Sequence, residues 1–235
     1  MGMVNVGDAI YVIDKLVLRD KKYTLEDISV AVKNNFEGYE QIRTDLLSCQ
    51  KFGINGEADD YTVRIAHILA KNIRAYDHDN FYFMPSLHSL DGNVKYGAMW
   101  TASYDGRYAY APYAKNAGSS VEVRKKDPTS VILLSAKIPQ YKFYGGQPLD
   151  IHFDPALIKT KKQKIAAVIK TYLQNGGLQL QVNSLSSKVL ENAIENPQNH
   201  KDLIVRIGGY SDYFNNFEQK VKKDFVQRFK REEIG

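Results

Sequence analysis

Apolar and polar positions recur with two different periods along this chain, and the chain switches between them several times. Over residues 7–19, Ile10, Ile13, Leu16 and Val17 recur at helical spacing,. "TLED", Thr24 to Asp27, has the spacing of a capping box, which predicts a helix running to about Asn34,. A short helix is expected from Gly38 to Leu47 and a further helix from Asp59 to Ala75, the latter with Val63, Ala66, Ile68, Leu69 and Ile73 on or near one face,. Between 80 and 155 glycine, aspartate and aromatic residues interrupt short β-like runs: "FYFMPSL", "VILLSAKI" and "LDIHF". Helical spacing returns from Leu157 to Gln174 behind Asp154-Pro155, and Gly176-Gly177 stops it,. "LQLQVNSL" then alternates apolar and polar residues, a strand signal that places Gln179, Gln181 and Asn183 on one face,. That polar face lines a cavity or meets solvent. A helix from Leu185 to Asn196 follows, capped by Ser186 or Ser187. The last segment, Asn216 to Glu232, sets Phe217, Val221, Phe225 and Phe229 four apart, a helix with one apolar stripe,.

Composition narrows the function classes. The 235 residues allow one large domain or two small ones with a substantial core,. The net charge of +5 is spread along the chain, with no basic arm or aromatic platform for nucleic acid,. A single cysteine, Cys49, excludes an internal disulfide and a cysteine metal cluster,. His88 and His152 stand alone without ligand spacing, so no metal is expected,. No apolar run reaches membrane-spanning length and no signal peptide is visible, so a cytoplasmic protein without membrane contact is expected,.

One stretch departs from these ordinary patterns. In "KDLIVRIGGYSDYFNNF", residues 201–217, an apolar run enters Gly208-Gly209 and aromatic residues follow at once. A glycine pair is ordinarily a surface turn. Here the neighbours Ile204, Val205, Ile207, Tyr210 and Phe214 suggest burial of both glycines.

"VRIGGYSDYF" resembles the C-terminal signature of the glycyl radical enzymes. There an arginine, an apolar residue, a small residue, the radical glycine, an aromatic residue and a small residue follow in order. The matching positions are Arg206, Ile207, Gly208, Gly209, Tyr210 and Ser211. The resemblance extends over residues 176–214, over "GYEQIRTDLLSCQKFGINGEADDYTVRIAHIL", and more loosely over "HSLDGNVKYGAMWTASYDGRYAYAPYAKNAG". It implies an α/β fold: part of the pyruvate formate-lyase-like barrel over 1–155 and a glycyl radical domain over 156–235. Gly209 would carry the radical, with Arg206, Gly208, Tyr210 and Ser211 supporting the loop and Gln179, Gln181 and Asn183 lining a cavity. The radical is installed in the family by a radical S-adenosylmethionine activating enzyme, with no bound cofactor. A cysteine then receives it and attacks a small-molecule substrate.

The residues explain why glycine suits that task. A backbone radical needs a planar Cα overlapping both flanking peptide groups, and a side chain would crowd it. Cys49 lies in "LLSCQKFG", away from any Gly-Cys motif, and is expected to be a structural thiol,. "ASYDGR", Ala102 to Arg107, differs from the family's Ala-Thr-Pro-Asp-Gly-Arg form and also reads as a plain turn at Asp105-Gly106,. Family chains are about three times longer. The expectation is therefore the radical-bearing subunit of a split lyase, or a fragment, with the thiol supplied by a larger Cys-bearing chain. The alternatives are a non-catalytic subunit that replaces a damaged radical domain, and an inactive remnant.

Overall fold

A computed structural model describes residues 2–123 and 128–232. The N-terminal layer is helical: α1 (Met3–Ile13) running into a π-helical turn (Asp14–Arg19), then α2 (Leu25–Lys33), α3 (Glu40–Ser48) and α4 (Glu57–Arg74). The capping box at α2 forms as its spacing predicts. Thr24 Oγ1 accepts from the Asp27 amide at 3.1 Å, and the Asp27 carboxylate accepts from the Thr24 amide at 2.8 Å. On α4 the buried face is not the one the bulky residues marked. Ala58, Thr62, Ala66 and Ala70 are buried, whereas Ile68 and Leu69 are exposed. Small residues win because α1 lies very close: a Cβ on Gly7 would sit 2.7 Å from the Thr62 Cα.

The middle of the chain is mostly irregular and holds α5 (Gly92–Gly97) and α6 (Pro128–Ser135). Two β-like expectations fail here. "VILLSAKI" falls largely within α6, with Val131, Ile132 and Leu134 buried. A continuous apolar run carries no period, so it fits a buried helix as well as a strand. "FYFMPSL" forms a single bridge, His78 with Phe81, and its Phe81, Tyr82, Phe83 and Met84 are exposed.

The C-terminal part contains β1 (Pro148–His152), α7 (Pro155–Thr160), α8 (Lys162–Gln174), β2 (Gln179–Asn183), α9 (Ser187–Glu195), β3 (Ile204–Ile207), β4 (Tyr210–Tyr213) and α10 (Gln219–Glu232). The helix expected from 157 to 174 is two helices, separated at Lys161, whose φ of −121° is not helical. Ser186 is the cap of α9. β1 and β2 pair in parallel, with Asp150 opposite Gln181 and His152 opposite Asn183. This ladder joins the two expected segments on either side of residue 155. β3 and β4 form an antiparallel hairpin. Val205, Ile207 and Phe214 pack with Leu190 and Ala193 of α9 and with Val221, Phe225, Val226 and Phe229 of α10. The terminal helix thus holds the hairpin from behind, as its stripe predicts.

One buried carboxyl gives the fold a pH signature. Asp8 is fully buried on α1, and its Oδ1 accepts from the Phe52 amide at 2.7 Å. Burial pushes its pKa up from 3.8 to about 7, with nearby Lys51 opposing and Asp105 and Asp59 adding to the rise. The folded state therefore keeps this proton where the unfolded chain has lost it. Stability from this group is full below about pH 4 and is lost as pH rises through about 7. Asp8→Asn keeps an acceptor for Phe52 and removes the charge. It is expected to flatten the melting curve between about pH 4 and 7 and to stabilise the protein near pH 8 by roughly 2–4 kcal/mol. Urea unfolding at three pH values measures this; unchanged pH dependence contradicts it.

Candidate functional site

The two glycines form the turn of the β3–β4 hairpin. Ile207 pairs with Tyr210, which leaves two residues to reverse the chain. Gly208 has φ +51° and Gly209 φ +110°. A two-residue hairpin with both central residues at positive φ demands glycine-like freedom, so the turn alone accounts for both glycines. What goes beyond a turn is how the loop is held.

Gly208 is packed against backbone. A Cβ there would lie 2.8 Å from the Leu90 Cα and 3.1 Å from the Leu90 nitrogen. The peptide joining the glycines is gripped at both ends. His88 Nε2 contacts the Gly208 carbonyl, and since a carbonyl only accepts, that ring nitrogen carries the hydrogen,. On the other side the Gly209 amide donates to Gln181 Oε1 at 3.0 Å. The Gly209 carbonyl in turn accepts from Arg206 Nη2 at 3.3 Å. Asn183 fastens β3 to β2 twice: its Nδ2 donates to the Arg206 carbonyl at 3.0 Å, and the Arg206 amide donates to its Oδ1 at 3.1 Å.

A second set of polar groups fixes the His88 segment. The Ser89 amide and hydroxyl both donate to Asn116 Oδ1 at 2.8 Å. Asn116 Nδ2 donates to Asp150 at 3.2 Å, and Asp150 pairs with Lys115 at 2.6 Å with both side chains nearly buried. Asp150 stands opposite Gln181 in the β1–β2 ladder. The two arms that hold the glycine loop, His88 and Gln181, are therefore tied to one strand pair.

Several expectations need correction. Gly208 is buried, but Gly209 is exposed on this chain. Val205, Ile207 and Phe214 shield the loop from behind; Ile204 is 55% exposed and Tyr210 38%. The hairpin buries one face only, so alternate residues of β3 point outward. Gln181 and Asn183 are buried, while Val182 beside them is exposed. Burial on β2 thus runs opposite to hydrophobicity, because the loop needs polar partners. Gln179 shares that face, and its backbone carbonyl accepts from the Tyr172 hydroxyl at 3.2 Å. Gln181 and Asn183 hold the loop through their side chains. A cavity of about 650 Å³ lies elsewhere, bounded by residues that include Val6, Ile10, Tyr96, Trp100 and Tyr113. Ser211 faces solvent opposite Arg206 in the hairpin. The Tyr210 hydroxyl is held above its ordinary pKa, first by burial and then by Asp91 and Asp212.

Cys49 is in a different part of the molecule. It packs beside the Val12, Leu16 and Ile28 cluster, and its thiol faces the Asp45 carbonyl at 3.4 Å. Burial pushes its pKa up, which disfavours the thiolate,. Asp105-Gly106 is a turn, as its chemistry suggests, with Gly106 at φ +92°. Its carboxylate is buried and accepts from Asn5 at 2.6 Å and Ser103 at 2.5 Å. Among the described residues no group of three histidine, cysteine or acidic side chains is placed to hold a metal ion. No described helix is long and apolar enough to cross a membrane.

His88, Leu90, Asn116 and Asp150 were not marked as loop supports by the sequence pattern. His88 did open the third family-like stretch, which is the signal that would have found it.

Comparison with known proteins agrees with this geometry. A family model described as "Glycine radical" matches residues 113–215, and one described as "Pyruvate formate lyase-like" matches residues 1–97. Isethionate sulfite-lyase of Oleidesulfovibrio alaskensis is 30% identical, over 97% of this chain and 28% of its own length. Probable dehydratase YbiW of Escherichia coli is 26% identical, over 97% of this chain and 30% of its own. Among solved structures, the glycerol-bound, B12-independent glycerol dehydratase from Clostridium butyricum superimposes with a TM-score of 0.91 at 27% identity, covering 97% of this chain and 29% of that one. A glycyl radical enzyme from Archaeoglobus fulgidus gives a TM-score of 0.88 at 26% identity, with 97% and 30% covered. The chain spans less than a third of the length of these proteins, and within that span it has the fold of part of their barrel with the C-terminal radical module: it belongs to the glycyl radical enzyme family.

Proposed function

We propose that this chain is the radical-bearing part of a glycyl radical lyase, that Gly209 stores the radical, and that a cysteine outside these 235 residues acts on the substrate. The observation that carries the reading is the Gly208-Gly209 turn, held on both sides by His88 and Gln181, at the matching signature position. The lone cysteine supports the second half. Cys49 is half-buried in another core cluster and has no place beside Gly209. The exposure of Gly209 supports it too: a stored radical needs cover on the face this chain leaves open.

In this reading the chain divides into a barrel portion, 1–155, and a radical domain, 156–235. The partner is a larger Cys-bearing chain, and a radical S-adenosylmethionine enzyme performs activation in the cytoplasm. The radical supplies a hydrogen-abstracting centre that is passed to the thiol. The residues of this chain hold the loop, keep its two peptide groups planar and shield one face. The substrate is a small molecule whose C–C or C–heteroatom bond is cleaved, as the names of the relatives suggest. A subunit that merely replaced a damaged radical domain would need little beyond residues 156–235. The helical layer matched over residues 1–97 favours a working subunit instead.

Co-expression with a Cys-bearing glycyl radical chain tests the proposal. A stable stoichiometric complex is expected. Once activated anaerobically, it should show an organic radical signal whose α-hydrogen splitting is lost in deuterated buffer through exchange with the thiol. A monomer that turns over substrate by itself overturns the reading.

A further inference from the structure

We infer that Gln181 and Arg206 stabilise the Gly209 radical electronically while His88 opposes them, so that the three side chains set how readily the radical leaves for a thiol. This rests on Gly209 being the radical site. A radical at a glycine Cα is stabilised from two directions: its own amide nitrogen donates electron density, and its own carbonyl withdraws it. A hydrogen bond to either group changes that push or pull.

The contacts fall on distinct groups. Gln181 Oε1 accepts from the Gly209 N–H at 3.0 Å. Accepting that hydrogen enriches the nitrogen and strengthens its donation. Arg206 Nη2 donates to the Gly209 carbonyl at 3.3 Å. A cationic donor deepens the carbonyl's pull on spin, as charge-assisted bonds polarise their acceptors more strongly than neutral ones. Both therefore stabilise the radical. His88 donates to the Gly208 carbonyl, at the far end of the same peptide as the Gly209 nitrogen. It draws the nitrogen lone pair into that peptide bond and away from Cα, which destabilises the radical. Gln181 is 4% exposed, so water does not readily substitute for its oxygen. Its Nε2 has no partner among the described residues. The side chain is thus buried with its donor unpaired while its acceptor meets Gly209. The acceptor satisfies the Gly209 amide, and the same bond sets a buried oxygen directly on the Gly209 nitrogen, where it tunes that group.

The affected step is a hydrogen-atom transfer. Gly209 Cα• and R–S–H become Gly209 Cα–H and R–S•; one C–H bond forms, one S–H bond breaks, and the proton and electron move together. A less stabilised radical runs this step faster.

The test uses the activated complex with dithiothreitol as the thiol probe. Gln181→Met and Arg206→Met should each quench about 3- to 10-fold faster than the unaltered protein, the change one hydrogen bond supplies. Both should widen the α-hydrogen splitting, since more spin stays on Cα. Arg206→Lys, which keeps a cationic donor, should restore most of the loss. His88→Phe should act with the opposite sign, quenching more slowly and narrowing the splitting. Melting temperatures of the unactivated variants separate folding defects from this effect. Quenching that speeds up in all three of Gln181→Met, Arg206→Met and His88→Phe, or splittings unchanged in all, would mean simple loosening of the loop and overturns the inference. Absence of any radical in the unaltered, correctly activated complex overturns instead the assignment of Gly209 on which it rests.

Discussion

Gly209→Ala is expected to fold, to form its complexes and to carry no radical. A Cβ on Gly209 would meet His88 at 3.5 Å and Gln181 Nε2 at 3.8 Å, which are ordinary van der Waals contacts. The cost lies in the backbone. At φ +110° an alanine is strained by on the order of 1–3 kcal/mol, which a protein of this size tolerates,. The chemistry tolerates it less well. A methyl group on Cα crowds the flanking peptides when the centre flattens. The organic radical signal should vanish, and so should cleavage in air. In the unaltered, activated protein, oxygen should cut the backbone at this residue and release a piece beginning at about 209 and ending at 235, some 27 residues by mass spectrometry. Gly208→Ala is the control that makes the result specific. Its Cβ would enter the Leu90 backbone, which cannot retreat like a flexible side chain. It should lower stability by about 1–3 kcal/mol through overpacking and reduce radical yield, yet leave the position of any cut unchanged. A cut that maps to Gly208, or persists in Gly209→Ala, shows that the radical sits elsewhere.

Much of the local structure was legible because it depends on short-range rules. The capping box at Thr24, the alternation in β2, the glycine stop at 176–177 and the stripe of α10 are read within a few residues. The glycine pair was legible as a turn, and its resemblance to a known signature pointed to chemistry. What was not legible depends on what each residue faces. The α4 interface belongs to Ala58, Ala66 and Ala70 because α1 comes close enough to exclude larger side chains, a distance no single-helix pattern contains. The apolar run in α6 has no period to read. Gln181 and Asn183 alternate like solvent-facing residues but are buried, because their partners are backbone groups 23 and 28 positions later. The support from His88 crosses 120 positions. The exposure of Gly209 contradicts a reading based on hydrophobic neighbours, since in a hairpin only alternate neighbours point the same way.

The terminal helix should matter to the radical loop through packing alone, and Phe225→Ala is expected to show it. Phe225 is 3% exposed, with ring centroids 4.9 Å from Phe229, 5.6 Å from His152 and 6.1 Å from Phe214. Phe214 immediately follows β4, and Val205 and Ile207 of β3 belong to the same cluster. Removing this ring leaves a cavity under the hairpin. Truncation of a buried phenylalanine costs about 3–5 kcal/mol, and in a chain of this length each kcal/mol lowers the melting temperature by about 2–4 °C. The hairpin loses its backing but keeps its polar holds from Gln181, Asn183 and His88. Calorimetry should therefore report a large drop in melting temperature. Hydrogen exchange should report faster opening of the β3–β4 amides than of those in β1 and β2. In the activated complex the radical should decay sooner, without the opposite-signed changes in splitting expected when single hydrogen bonds are altered. An unchanged melting temperature would mean that α10 does not bear on this core, and equal protection in both strand pairs would mean that the loop is held by its polar partners alone.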